Sequence, residues 1–139
     1  MAQSAIFWPV IAQAALTYAI YVLMSRRRMA AVKGGRASVS QFRENQTEPA
    51  ESLFVRNSLA NQFELPVLFF AACLSLHAVG LADTLSIILA WLFVASRYVH
   101  AWIHVTTNRI RHRRPLFIAG FFVLGFMWLR LAAGLAGIA

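Results

Sequence analysis

Four apolar stretches, each long enough to cross a bilayer, occupy most of this chain and leave its charges to the gaps between them. The first runs from Ile6 to Met24 with only Gln13 and Thr17 as polar breaks. The others are expected at residues 58–80, 84–105 and 115–137. A helix crosses the ~30 Å hydrocarbon core in about 20 residues, so a chain of this length with one long polar interruption holds about four spans and no separate soluble domain. Residues 1–139 are therefore expected to form one all-α integral membrane domain, a four-transmembrane-helix bundle. Composition agrees, with 60% hydrophobic residues, 13% charged and a mean hydropathy of +0.62. Soluble domains are only about half apolar.

The net charge of +8 would point to nucleic acid in a soluble protein. Here the arginines cluster at span ends, where they meet lipid headgroups and set orientation, so the bilayer is the expected partner and nucleic acid is not. The gap after the first stretch carries Arg26, Arg27, Arg28, Lys33, Arg36, Arg43 and Arg56, and the gap after the third carries Arg109, Arg111, Arg113 and Arg114. The Gly80 to Asp83 turn and the N-terminus carry none. Both basic loops fall on one side of a four-span topology, and the positive-inside rule predicts that side to be cytoplasmic with both termini opposite. Because the basic cluster follows the first apolar run instead of preceding it, that run is expected to be a retained helix and not a cleaved signal. Gly34-Gly35 should end any extension of it, and Asp83 should cap the third span.

Several ionisable groups interrupt the apolar stretches. Asn61-x-x-Glu64-x-Pro66 opens the second and Arg97-x-x-His100-x-x-x-His104 closes the third. Charge at membrane depth costs several kcal/mol unless paired or hydrated, which makes such residues functional candidates. At 1.5 Å per residue, Glu64 and Arg97 each lie about 12 Å inside their loop-side ends, so the spacing predicts that they meet as an ion pair between neighbouring spans. Asn57, Asn61 and Glu64 share one helical face, and Arg97, His100 and His104 share another. A cleft between them, polar at its loop end and aromatic deeper in, would suit an amphipathic ligand with an anionic part.

Other chemistries are less well supported. His100 and His104 at i, i+4 lack a third ligand, so no metal site is expected. No Ser/His/Asp triad is available, because Asp83 is the only aspartate and lies at the far end of the spans. Cys73, the only cysteine, excludes an intramolecular disulfide and reads as a small packing residue. Arg130 is expected to snorkel outward or meet Asp83.

Over nearly its whole length the chain resembles the MAPEG family, the membrane-associated proteins of eicosanoid and glutathione metabolism, in its bacterial-type form. The resemblance rests on the four spans, the long loop after the first, Asn61-x-x-Glu64, Arg97-x-x-His100 and the arginines before the fourth span. It implies a homotrimer with glutathione as cofactor, bound between subunits near the cytoplasmic face. The family's ligand-holding positions fall on Asn61, Glu64 and Arg97, with Arg26 and Arg27 ending the first span; His100 and His104 continue the third-span stripe. If the protein is an enzyme, it is expected to be a glutathione-dependent transferase or peroxidase acting on lipophilic electrophiles. A thiol with pKa near 8.5 needs a neighbouring cation to ionise at neutral pH, and Arg111, seven after His104, is the expected catalytic residue, with Arg109 and Arg113 as register alternatives. The rival expectation is a non-catalytic lipid-binding or scaffold protein of the same family. A small transporter relaying through Glu64 and Arg97 is disfavoured, since the other half of the chain has no counterpart pair.

Overall fold

The computed structural model describes residues 2–138 and is all-helical among them. A short 3-10 turn, Gln3–Ile6, leads into α1 (Phe7–Lys33), followed by α2 (Val39–Arg43), α3 (Ala50–Asn61), α4 (Leu65–Ala78), α5 (Thr84–Val105) and α6 (Ile110–Leu135). Four helical segments are long and apolar enough to cross a membrane: Gln3–Lys33, Ala50–Ala78, Thr84–Val105 and Ile110–Leu135.

α1 runs well past the apolar stretch that begins it. It stops at Gly34-Gly35, where Gly35 takes φ +69 and the amides of Gly35 and Arg36 return to the carbonyls of Val32 and Ala31 at 3.1 and 2.9 Å. This paired closure satisfies the last carbonyls of the helix, and a residue with a side chain would be strained at Gly35. The polar loop is ordered by charge. Glu48, 6% exposed, accepts from both Arg28 nitrogens at 2.8 and 3.1 Å and from Arg56 at 3.4 Å, tying α1, the loop and α3 together. The Arg28 guanidinium also stacks over Phe42 of α2 at 4.9 Å.

The second span departs from a single helix. Pro66 has no N–H to return to the Gln62 carbonyl, so the α-helical ladder fails there and the chain turns at Gln62–Glu64 before α4 begins. The last turn of α3 tightens instead, with Gln62 and Phe63 bonding three residues back to Leu59 and Ala60 at 2.9 and 3.0 Å. Gln13 of α1 secures the break by donating 2.9 Å to Gln62, both side chains being buried. At the turn between α4 and α5 Asp83 caps α5 as expected, accepting from the Ser86 amide at 2.9 Å, and Arg130 of α6 closes on it at 2.7 Å.

The second and third spans are neighbours as expected, but the two halves of the second span pack differently. Although a tight turn joins α4 to α5, α4 packs mainly on α6, while α5 packs on α6 and on α1 and α3. One apolar cluster gathers Ile6, Phe69, Leu76, Phe93 and Met127, with Phe69 and Phe93 stacked at 4.5 Å. A second holds Leu16, Ile20, Val55, Leu59, Ala101 and Val105. Along α1, the broken second span and α5, the buried polar residues Gln13, Gln62 and Arg97 fall between the two clusters.

Candidate ligand-binding site

Arg97 is fully buried, and its surroundings correct the predicted ion pair. Glu64 is exposed, and no ion pair joins it to Arg97 among the described residues. The cause is the break at Pro66, which carries Glu64 out of the α3 face and sets it at the start of α4 with φ −99 and ψ −108. From there its carboxylate acts on Arg97 only as a charge at a distance, without a contact between the two. Arg97 reaches the same level of the bundle but meets backbone: its Nη2 donates to the Asn61 carbonyl at 3.4 Å. Its guanidinium lies 5.8 Å from the Phe117 ring centroid, and Nε and Nη1 have no hydrogen-bond partner. A buried guanidinium with two free donors and no carboxylate in contact with it is costly, and an anion is what would relieve it.

The third-span stripe is assembled as the spacing predicts. His100 and His104 are each 3% exposed, with ring centroids 5.8 Å apart and planes at 75°. The Asn61 amide meets His104 Nδ1 at 3.2 Å, linking the end of α3 to α5. With Asn61 Nδ2 as donor, the His104 proton resides on Nε2. His100 Nδ1 is buried without a partner. No group of three metal-ligating His, Cys, Asp or Glu side chains occurs among the described residues, and Arg97 beside the histidines opposes a cation there.

A cavity of about 260 Å³ opens beside this stripe, lined by Asn61, His100, Ile110, Arg113, Arg114 and Phe117. It brings together the expected Asn61 and His100 with Arg113, one of the register alternatives, and adds Ile110, Arg114 and Phe117. Arg111 lines a different groove, with Ile110, Arg114, Pro115, Ile118 and Ala119. The reason is register. Counting seven from His104 assumes a continuous helix, but α5 ends at Val105 and Asn108 adopts φ +49 before α6 begins. Arg113, held by Asn108 Oδ1 at 2.6 Å, is the arginine of the alternatives that faces the cavity. The signal was present in the sequence: Arg113, Phe117, Gly120, Leu124, Met127 and Leu131 repeat at alternating steps of four and three, and the last four are buried.

The first-span arginines separate. Arg27 Nη1 donates to the carbonyls of Glu51 and Val105 at 2.9 and 2.7 Å, so it ties α1 to the ends of α3 and α5. Arg26 is exposed.

Four spans around a buried arginine, two histidines and an arginine-rimmed cavity define a helical integral membrane protein in contact with the bilayer, with a polar site inside its bundle. The MAPEG family model matches residues 5–133, and the chain belongs to the MAPEG family. At the level of that family it is a glutathione- or eicosanoid-related membrane protein. No curated protein and no solved structure gives a match to this chain.

Proposed function

We propose that this protein is a glutathione-dependent transferase or peroxidase that acts on lipophilic electrophiles arriving from the bilayer, and that it works as a homotrimer. The observation that carries the reading is the fully buried Arg97 with two unpartnered nitrogens beside a cavity lined by Asn61, His100 and Arg113. An acidic tripeptide matches this donor set: Arg97 serves a carboxylate, while Asn61 and His100 form the polar wall. In the trimer, Glu64 and Arg26, both exposed in the single chain, are available to a ligand held against a neighbouring subunit.

The chemistry assigned to this site is thiolate formation. A free thiol is mostly protonated at neutral pH, and a guanidinium beside the sulfur favours the anion. Arg113 is the arginine we place there, because it faces the cavity and Asn108 holds it in place. Ile110 and Phe117 offer apolar wall to the electrophile. The thiol proton leaves to water at the cavity mouth. The thiolate electron pair then forms the bond to the electrophilic carbon as that carbon's bond to its leaving group breaks and the group departs with the pair. With a hydroperoxide, the thiolate instead attacks the outer oxygen as the O–O bond breaks to an alkoxide, a second glutathione thiol then displacing hydroxide to give the disulfide.

Ultraviolet difference spectroscopy with glutathione in detergent tests the reading, since a bound thiolate has its own absorption band. The wild type and Arg111→Ala are expected to give the band, and Arg113→Ala to lose it with the oligomer intact. One pKa unit, about 1.4 kcal/mol, already changes the ionised fraction several-fold near neutral pH. No binding by the wild type at millimolar glutathione would overturn the proposal in favour of the non-catalytic binding protein, and loss of the band in Arg111→Ala alone would return the thiolate role to Arg111.

A further inference from the structure

A larger groove beside the basic loops adjoins the glutathione candidate and shares Ile110 and Arg114 with it. It has a volume of about 620 Å³ and runs along the start of α6, lined by Ile110, Arg111, Arg114, Pro115, Ile118 and Ala119. We propose that this groove binds one anionic phospholipid of the adjoining leaflet, with the phosphate on Arg111 and Arg114 and an acyl chain against Pro115, Ile118 and Ala119.

Three observations support this occupant. Arg111 and Arg114, at i, i+3 on one helix face, have no ion-pair or side-chain hydrogen-bond partner among the described residues, whereas Arg113 between them is engaged with Asn108. The stretch from Thr106 to Arg114 contains no acidic residue that could neutralise them. The groove is also ordered along the helix, with cations at its loop end and apolar side chains in the next two turns, about 12 Å from Arg111 to Ala119 at 1.5 Å per residue. That polarity matches a phospholipid standing in the leaflet, head at the interface and chain toward the midplane. Pro115 adds a second recognition element. It has no N–H for the Arg111 carbonyl, so a backbone acceptor at the groove mouth is left for a headgroup hydroxyl. A net negative headgroup is favoured over a zwitterionic one because two guanidiniums face it without a compensating carboxylate.

The full-length protein can be reconstituted in phosphatidylcholine vesicles containing a minority of phosphatidylglycerol, extracted in mild detergent, and its retained lipid identified by native mass spectrometry. The wild type should retain phosphatidylglycerol in preference to phosphatidylcholine. Arg111→Gln should lower that preference about fivefold, the factor corresponding to the ~1 kcal/mol that one basic side chain contributes at a charged membrane surface. Arg111→Lys should keep most of it, and Arg109→Gln, outside the groove, should change it little. Added glycerol phosphate should not displace the lipid, because it lacks the chain. Equal retention of both lipids, or equal losses in Arg111→Gln and Arg109→Gln, would overturn the proposal. So would unchanged lipid retention together with dissociation of the oligomer in Arg111→Gln, which would assign the groove to a second copy of the chain. None of these readouts involves glutathione.

Discussion

Replacing Arg97 by methionine should separate what this residue does for folding from what it does for a ligand. The guanidinium is fully buried, with one hydrogen bond of 3.4 Å to the Asn61 carbonyl and a Phe117 ring 5.8 Å away. The hydrogen bond is worth about 1 kcal/mol and the ring contact about 1 kcal/mol more, against a desolvation penalty of several kcal/mol for a buried ion. Methionine has similar reach and no polar atoms, and it adapts to irregular gaps. The ligand-free Arg97→Met protein is therefore expected to be more stable than the wild type by about 1–3 kcal/mol. Unfolding by titration with a denaturing detergent, followed by tryptophan fluorescence, measures this in mixed micelles. Saturating glutathione should then stabilise the wild type, by about 2.7 kcal/mol at one hundred times its Kd, and leave the variant unchanged. A ligand-free Arg97→Met protein less stable than the wild type would refute the reasoning, because it would show that the guanidinium has a strong partner in the assembled protein.

Three further perturbations test other parts of the structure. Glu48→Gln should cost about 1–3 kcal/mol, less than a fully buried pair because Arg28 and Arg56 keep some exposure; thermal denaturation reads the loss. Burial alone would raise the Glu48 pKa, but hydrogen bonds from Arg28, Ser52 and Arg56 and the Arg28 charge lower it overall. The carboxylate therefore contributes stability above its unfolded pKa of about 4.5, a contribution lost as pH falls through the folded value, and Glu48→Gln should flatten that acid limb. Gln13→Leu leaves the buried Gln62 amide without its partner from α1 and should cost about 1–3 kcal/mol, with increased hydrogen exchange confined to the Gln62–Glu64 break. In a Cys73→Ala background, Gln46→Cys and Arg109→Cys should be labelled from the same side of the membrane by an impermeant thiol reagent; labelling from opposite sides would defeat the four-span topology.

The spans were legible because hydropathy and the placement of arginine report directly on the bilayer. Asp83 and Arg130 were legible too, since a cap before an apolar run has few alternatives. The ion pair between Glu64 and Arg97 was misread because the helical face of Asn57 and Asn61 was continued to Glu64 as though Pro66 did not interrupt it. The consequence of that proline is local and countable: four residues back lies Gln62, where the break occurs. Arg111 was placed toward the cavity by the same kind of count, carried across Thr106–Asn108, whereas it lines a neighbouring groove. Reading α6 backward from its apolar repeat, instead of forward from α5, places Arg113 and Phe117 on the inner face. The Asn61 to His104 contact and the linkage of Arg27 to two carbonyls depend on tertiary packing and leave no mark in either local pattern.

The buried charge also bears on how the bundle is built in the first place. Thr84–Val105 has the lowest mean hydropathy of the four spans, 1.4 against 2.0 for Ile110–Leu135. An arginine near the middle of an isolated helix raises the cost of partitioning into lipid by about 2.5–3.5 kcal/mol. α5 therefore gains most by leaving the aqueous path of the insertion machinery together with a neighbour that covers Arg97, and α6, its main packing partner, follows it directly in the chain. Membrane entry of the third span is then coupled to synthesis of the fourth: α5 is handed to the bilayer as half of a hairpin, and the buried arginine delays that step until α6 can cover it.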